Sequence, residues 1–146
     1  MIGRGLTLLA AASLLMGAAP APFVDVRVEV TGLRSERGVV RACLTPVSRQ
    51  FPQCRADDGS YSVVVRANDA DDLQFLGIPP GTYAIAIVHD ENDNGKIDRA
   101  LGLLPKEGFG FSRDAPVRMG PPAFGDASFP VEAAPVRQVI RMRYML

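Results

Sequence analysis

Val24, Val26, Val28 and Val30 alternate strictly with Asp25, Arg27, Glu29 and Thr31, a period of two that predicts a strand with one buried face. A turn-rich segment, Gly32-Leu33-Arg34-Ser35-Glu36-Arg37-Gly38, follows it, and Val39 to Leu44 reads as its hairpin partner. Shorter strands are predicted over Tyr61 to Arg66 and Leu73 to Leu76, separated by the polar turn Asn68-Asp69-Ala70-Asp71. Pro79-Pro80-Gly81 makes another turn before Thr82 to Val88, which is apolar on both faces and so belongs in the centre of a sheet. Val136, Gln138, Ile140, Met142 and Tyr144 alternate with Arg137, Val139, Arg141 and Arg143 as a closing strand.

Between Asp98 and Pro130 the glycines and prolines break every regular pattern, and Phe109, Phe111, Phe124 and Phe129 are the groups that could tuck this long loop against the rest. About seven short strands without helices predict an all-β fold, an antiparallel two-sheet sandwich, immunoglobulin-like or prealbumin-like. A connection this long inside a compact domain is functional or ordered by something.

The N-terminus changes the picture. One charge at Arg4, an apolar stretch from Leu6 to Met16 and small residues to Ala21 read as a secretory signal peptide over residues 1–21, leaving a single domain over 22–146. The apolar stretch is short of the roughly 20 residues of a transmembrane helix, and no later segment approaches that length. The mature chain is therefore expected in the periplasm or secreted. Without Arg4, fifteen basic residues face sixteen acidic ones with no run of like charge, which argues against nucleic acid and against a charged membrane surface. Export also favours a disulfide between Cys43 and Cys54 over two thiols, closing a short loop and stabilising by about 2–3 kcal/mol.

The one stretch with the spacing of site chemistry is Asp90-Glu91-Asn92-Asp93-Asn94-Gly95-Lys96-Ile97-Asp98. Asp90, Asn92 and Asn94 at alternate positions can point inward together, Gly95 permits the sharp turn, the Lys96 carbonyl can follow, and Asp98 adds a carboxylate, as in a calcium loop. The bidentate Glu of a complete EF-hand is replaced by Leu101, so the expected affinity is weak, about 0.1–1 mM. Glu91 and Asp93 are expected to face solvent, and Glu107 is the candidate further ligand from the long loop. The competing structural reading is a polar turn whose Asn and Asp side chains cap their own backbone. His89, the only histidine, falls on the Tyr83, Ile85, Ile87 face and reads as a hydrogen-bonded structural residue, since zinc would need further ligands.

The run from Ile78 to Asp98, with Pro79-Pro80-Gly81-Thr82-Tyr83 at its start, resembles the exported bacterial family called domain of unknown function 2141. The resemblance extends to the Val-rich first strand, Gly32-Leu33-Arg34-Ser35, Phe51-Pro52, the segment from Gly102 to Ser112, and Pro121-Pro122-Ala123-Phe124. It implies a prealbumin-like or carboxypeptidase-regulatory-like β-sandwich and no particular activity. Together these features point to an exported, non-enzymatic binding or structural module with a calcium loop, its partner a protein or a glycan and its oligomeric state open. The reading from another class is a small exported hydrolase or isomerase using His89, Asp90 and Glu107 as acid and base.

Overall fold

The computed structural model describes Gly17, residues 19–55 and residues 58–146. The signal peptide expected over residues 1–21 falls almost entirely outside the described residues. Among the described residues there are ten strands, eight of them in two open sheets facing each other: β1 Val24–Thr31, β2 Val39–Thr45, β3 Tyr61–Arg66, β4 Leu73–Ile78, β5 Gly81–Asp90, β6 Arg99–Ala100, β7 Leu104–Pro105, β8 Gly108–Phe111, β9 Phe129–Val131 and β10 Val136–Arg141. The first sheet has the order β10-β1-β4 and the second β3-β2-β5-β8, while β9 pairs with the start of β5 and β6 pairs with β7 as a small hairpin.

The expected sandwich is present, with antiparallel pairing throughout except that β10 runs parallel to β1, from Val26 opposite Val136 to Thr31 opposite Arg141. The expected β1–β2 hairpin is not formed. β1 pairs with β10 and β4, and β2 pairs with β3 and β5, so the 32–38 segment carries the chain from one sheet to the other. Gly32 and Gly38 at its ends both have positive φ, which redirects the chain out of the plane of the first sheet. Alternation alone specifies a face, and not the neighbour on either edge.

The valines of β1, together with Leu73, Phe75, Ile78, Val40, Ala42, Leu44, Tyr83, Ile85, Ile87 and Ile140, fill the space between the sheets. The other face of β5 is also covered: Ala84 and Ala86 pack with Phe111, Ala115 and Ala127, and Phe51, Phe109, Val117 and Phe124 lean on that group. This second cluster corrects the reading of 98–130 as one unstructured loop. The segment supplies β8, the short helix Phe124–Ala127 and β9, and burial of its aromatic side chains against β5 is what orders it. Ser112, fully buried where β8 ends, accepts the Ile85 N–H at 2.8 Å and donates to the Ala127 carbonyl at 2.5 Å, so its hydroxyl continues the pairing that the backbone stops making. Cys43 on β2 is bridged to Cys54 with a Cα separation of 5.5 Å, as expected.

Gly38 has φ +69, and a Cβ there would lie 2.0 Å from the Asp90 carbonyl oxygen and 2.7 Å from Glu91 backbone. Gly38→Ala is therefore expected to cost about 3 kcal/mol or more, combining backbone strain with a clash that only strand movement relieves. Gly77, at φ +65 with nothing within 4 Å of its Cβ position, should lose only about 1 kcal/mol as Ala. Urea denaturation of the two variants checks the contrast, and equal losses would refute the close approach.

Candidate functional site

Three consecutive residues at the end of β5 leave the strand in different directions. His89 turns inward and is fully buried. Its Nε2 lies 2.8 Å from the Arg37 carbonyl oxygen, which can only accept, so Nε2 carries the proton; Nδ1, 2.7 Å from the Tyr144 hydroxyl, accepts from it. The imidazole thus ties β5 to the 32–38 crossing and to the C-terminal segment. Burial pushes the Tyr144 hydroxyl above its ordinary range, and the Arg34 guanidinium lies 4.5 Å from the centre of its ring.

Asp90, pointing the opposite way, is buried to within 1 %. One carboxylate oxygen accepts the N–H of Asn94 at 3.2 Å, and the other accepts the N–H of Gly95 and Arg41 Nε, both at 2.9 Å. Burial pushes this carboxyl up, but the bond from Arg41 and those from Gly95 and Asn94 outweigh it and hold the group below its ordinary range. Arg41 also donates to Asp93 at 2.6 Å. Glu91 is clamped by Arg34 Nε at 3.0 Å and Nη2 at 2.5 Å and by the Ser35 hydroxyl at 2.6 Å. Asp93 faces solvent as expected, its side chain 58 % exposed although Arg41 pairs with it, whereas Glu91, expected to do the same, is engaged by an arginine that sequence distance hides from the loop and retains only 14 % exposure.

The amides of Asn92 and Asn94 both donate to the same oxygen of Asp98 at 2.9 Å, while their own oxygens accept the N–H groups of Asn94 and Lys96. From the long segment, the Glu107 side chain reaches Asp98 as well. Glu107 is 5 % exposed, and its Oε2 is buried without a hydrogen-bond partner among the described residues. Burial pushes the Glu107 carboxyl up, and the Asp98 charge adds to the shift; Asp98 is lowered by its bonds from Asn92 and Asn94 and by Glu107. A backbone bond from Lys106 N to the Asp98 carbonyl, 2.9 Å, closes the β6–β7 hairpin and sets this approach.

The predicted loop residues accordingly divide. Asn92, Asn94, Asp98 and Glu107 come together, whereas Asp90 is occupied as a brace for the turn; the Lys96 N–H serves Asn94, a bond that does not involve the Lys96 carbonyl expected as the ligand. Among the described residues no group of three or more His, Cys, Asp and Glu side chains is placed to hold a metal ion. Arg41, Arg34 and Tyr144 were missed from the sequence; the one signal was Arg41 itself, a charge within the apolar run Val39-Val40-Arg41-Ala42-Cys43-Leu44. A cavity of about 630 Å³ beside the hairpin is lined in part by Glu107, but neither His89 nor Asp90 reaches it. The three residues required for acid–base chemistry thus face three different surroundings.

The fold and the loop define a two-sheet β-sandwich with a braced polar turn at one end of its central strand. The chain belongs to the family described as uncharacterized protein conserved in bacteria, DUF2141, whose pattern matches residues 28–139. No curated protein and no solved structure matches it.

Glu91, held by Arg34 at a pKa of about 2 against an ordinary 4.5, should stabilise the fold above pH 4.5 and lose that contribution as pH falls through 2. At pH 7 Glu91→Gln is expected to be less stable by about 1 kcal/mol, the upper end for a pair with a partly exposed partner. Melting of wild type and variant in parallel from pH 7 to pH 2 checks this. The gap should close with acid, and a constant gap refutes the assignment.

Proposed function

We propose that the protein is an exported, non-catalytic β-sandwich module whose 90–98 loop binds calcium weakly, and that it serves to bind a protein or glycan outside the cytoplasm. The observation that carries the calcium reading is the meeting of Asp98 with Glu107. Two carboxyl groups close enough to shift one another, one of them with a buried oxygen that has no hydrogen-bond partner among the described residues, form a local imbalance that a proton or a cation relieves. The residues that would hold the ion are Asn92, Asn94, Asp98 and Glu107. Each amide would turn over to present its oxygen in place of the N–H it now gives to Asp98, giving up the bond its oxygen now accepts from the N–H of Asn94 or of Lys96. Asp90 acts as the brace that holds the turn open rather than as a ligand.

Two carboxylates are a small charge for a calcium site, which keeps the affinity in the range of extracellular modules, about 0.1–1 mM. Such an ion would fasten the hairpin to the end of β5. It is not what orders the aromatic segment beyond, because the second hydrophobic cluster already does so.

Calcium at 5 mM should raise the melting temperature by about 5 °C if half-saturation lies near 0.5 mM, with magnesium giving little. Asp98→Ala and Glu107→Gln should each abolish the rise. Isothermal titration supplies the stoichiometry, one ion per chain. No calcium-dependent rise in wild type at several millimolar would refute the site.

A further inference from the structure

The cavity beside the hairpin, about 630 Å³, lies on the outer face of the second sheet and falls within the range of small-molecule sites. Its floor is made by cross-strand pairs of β5 and β8, Ala86 opposite Phe111 and Val88 opposite Phe109. One wall is the hairpin at Leu103 and Leu104; the other is the turn at Met119. These walls leave apolar side chains in water, with Leu103 at 78 % and Met119 fully exposed, and Leu101 at the hairpin tip is 97 % exposed.

The lining also carries two exposed arginines, Arg99 and Arg118, which form no ion pair among the described residues. The only acid in the lining, Glu107, is buried at the opposite extreme of accessibility. A recessed apolar trench with two exposed cations in its lining complements a molecule that has one apolar chain and one anionic head. A flat bilayer would touch the protruding tip at Leu101 and leave the floor of the trench uncovered.

We propose that this cavity binds a single long-chain aliphatic carboxylate, its chain lying on the Ala86, Val88, Phe109 and Phe111 floor between Leu103 and Met119, its head group at Arg99 and Arg118. Binding removes the exposed leucine and methionine surface from water and gives the two arginines a counter-charge. The site needs no calcium, and its test is run in chelator so that failure of the loop reading leaves it untouched.

Titration of the full chain with a dansyl-labelled undecanoate, with displacement by unlabelled laurate, is the direct experiment. Saturable one-to-one binding with a blue-shifted emission is expected. Val88→Trp, which fills the floor, should weaken it at least tenfold, and Leu103→Glu on the exposed wall provides the same test without touching the core. The double variant Arg99→Glu/Arg118→Glu should also weaken binding about tenfold, and dodecanol should compete about tenfold less well than laurate. The proposal is overturned by absence of saturable binding, by full affinity in both Leu103→Glu and a folded Val88→Trp, by dodecanol competing as well as laurate, or by binding to anionic vesicles with none to the monomeric probe.

Discussion

The buried imidazole of His89 is the point on which this end of the molecule depends. It has no contact with water, so both ring nitrogens must find partners inside the protein, and they find them on two segments far apart in sequence, Arg37 and Tyr144. That requirement fixes the 32–38 crossing against β5 and brings the C-terminal residues across it. Gly38 is where the approach is closest, and Arg34 then lies where its guanidinium can cover the Tyr144 ring and grip Glu91. The polar loop starts from a strand end held on three sides.

This constraint explains why the loop is braced without being rich in free carboxylates. Asp90 and Glu91, which would otherwise supply charge to a cation, are each satisfied by an arginine and by further donors. What remains available is the group around Asp98, built by the hairpin that Lys106 closes. The calcium reading therefore rests on fewer charges than the spacing of the loop promises, and on a Glu107 that only the fold brings near.

The second face of β5 has an equal part. A strand apolar on both faces needs cover on both, and the Phe-rich segment supplies the second cover for Ala84 and Ala86. The cover extends over only part of that face. Beyond it the floor at Val88 and Phe109 is left as an apolar trench between two loops, so the same packing that orders the segment creates the cavity.

Local pattern determined much of this protein: the alternation of Val24 to Val30, the two-faced apolar character of β5, and the disulfide partners follow from side-chain period and cysteine content, which are properties of near neighbours. The inward turn of His89 followed from the same parity. The tertiary structure decided which strands meet, because a period of two names a face without naming a partner, and so β2 left β1 for the other sheet and β10 came in parallel beside it. It also decided the fate of the loop's charges. Arg41 and Arg34 lie some fifty residues before the carboxylates they hold, and Glu107 meets Asp98 only through a hairpin, so spacing within the loop could reveal neither which oxygens were already spoken for nor which one was left alone.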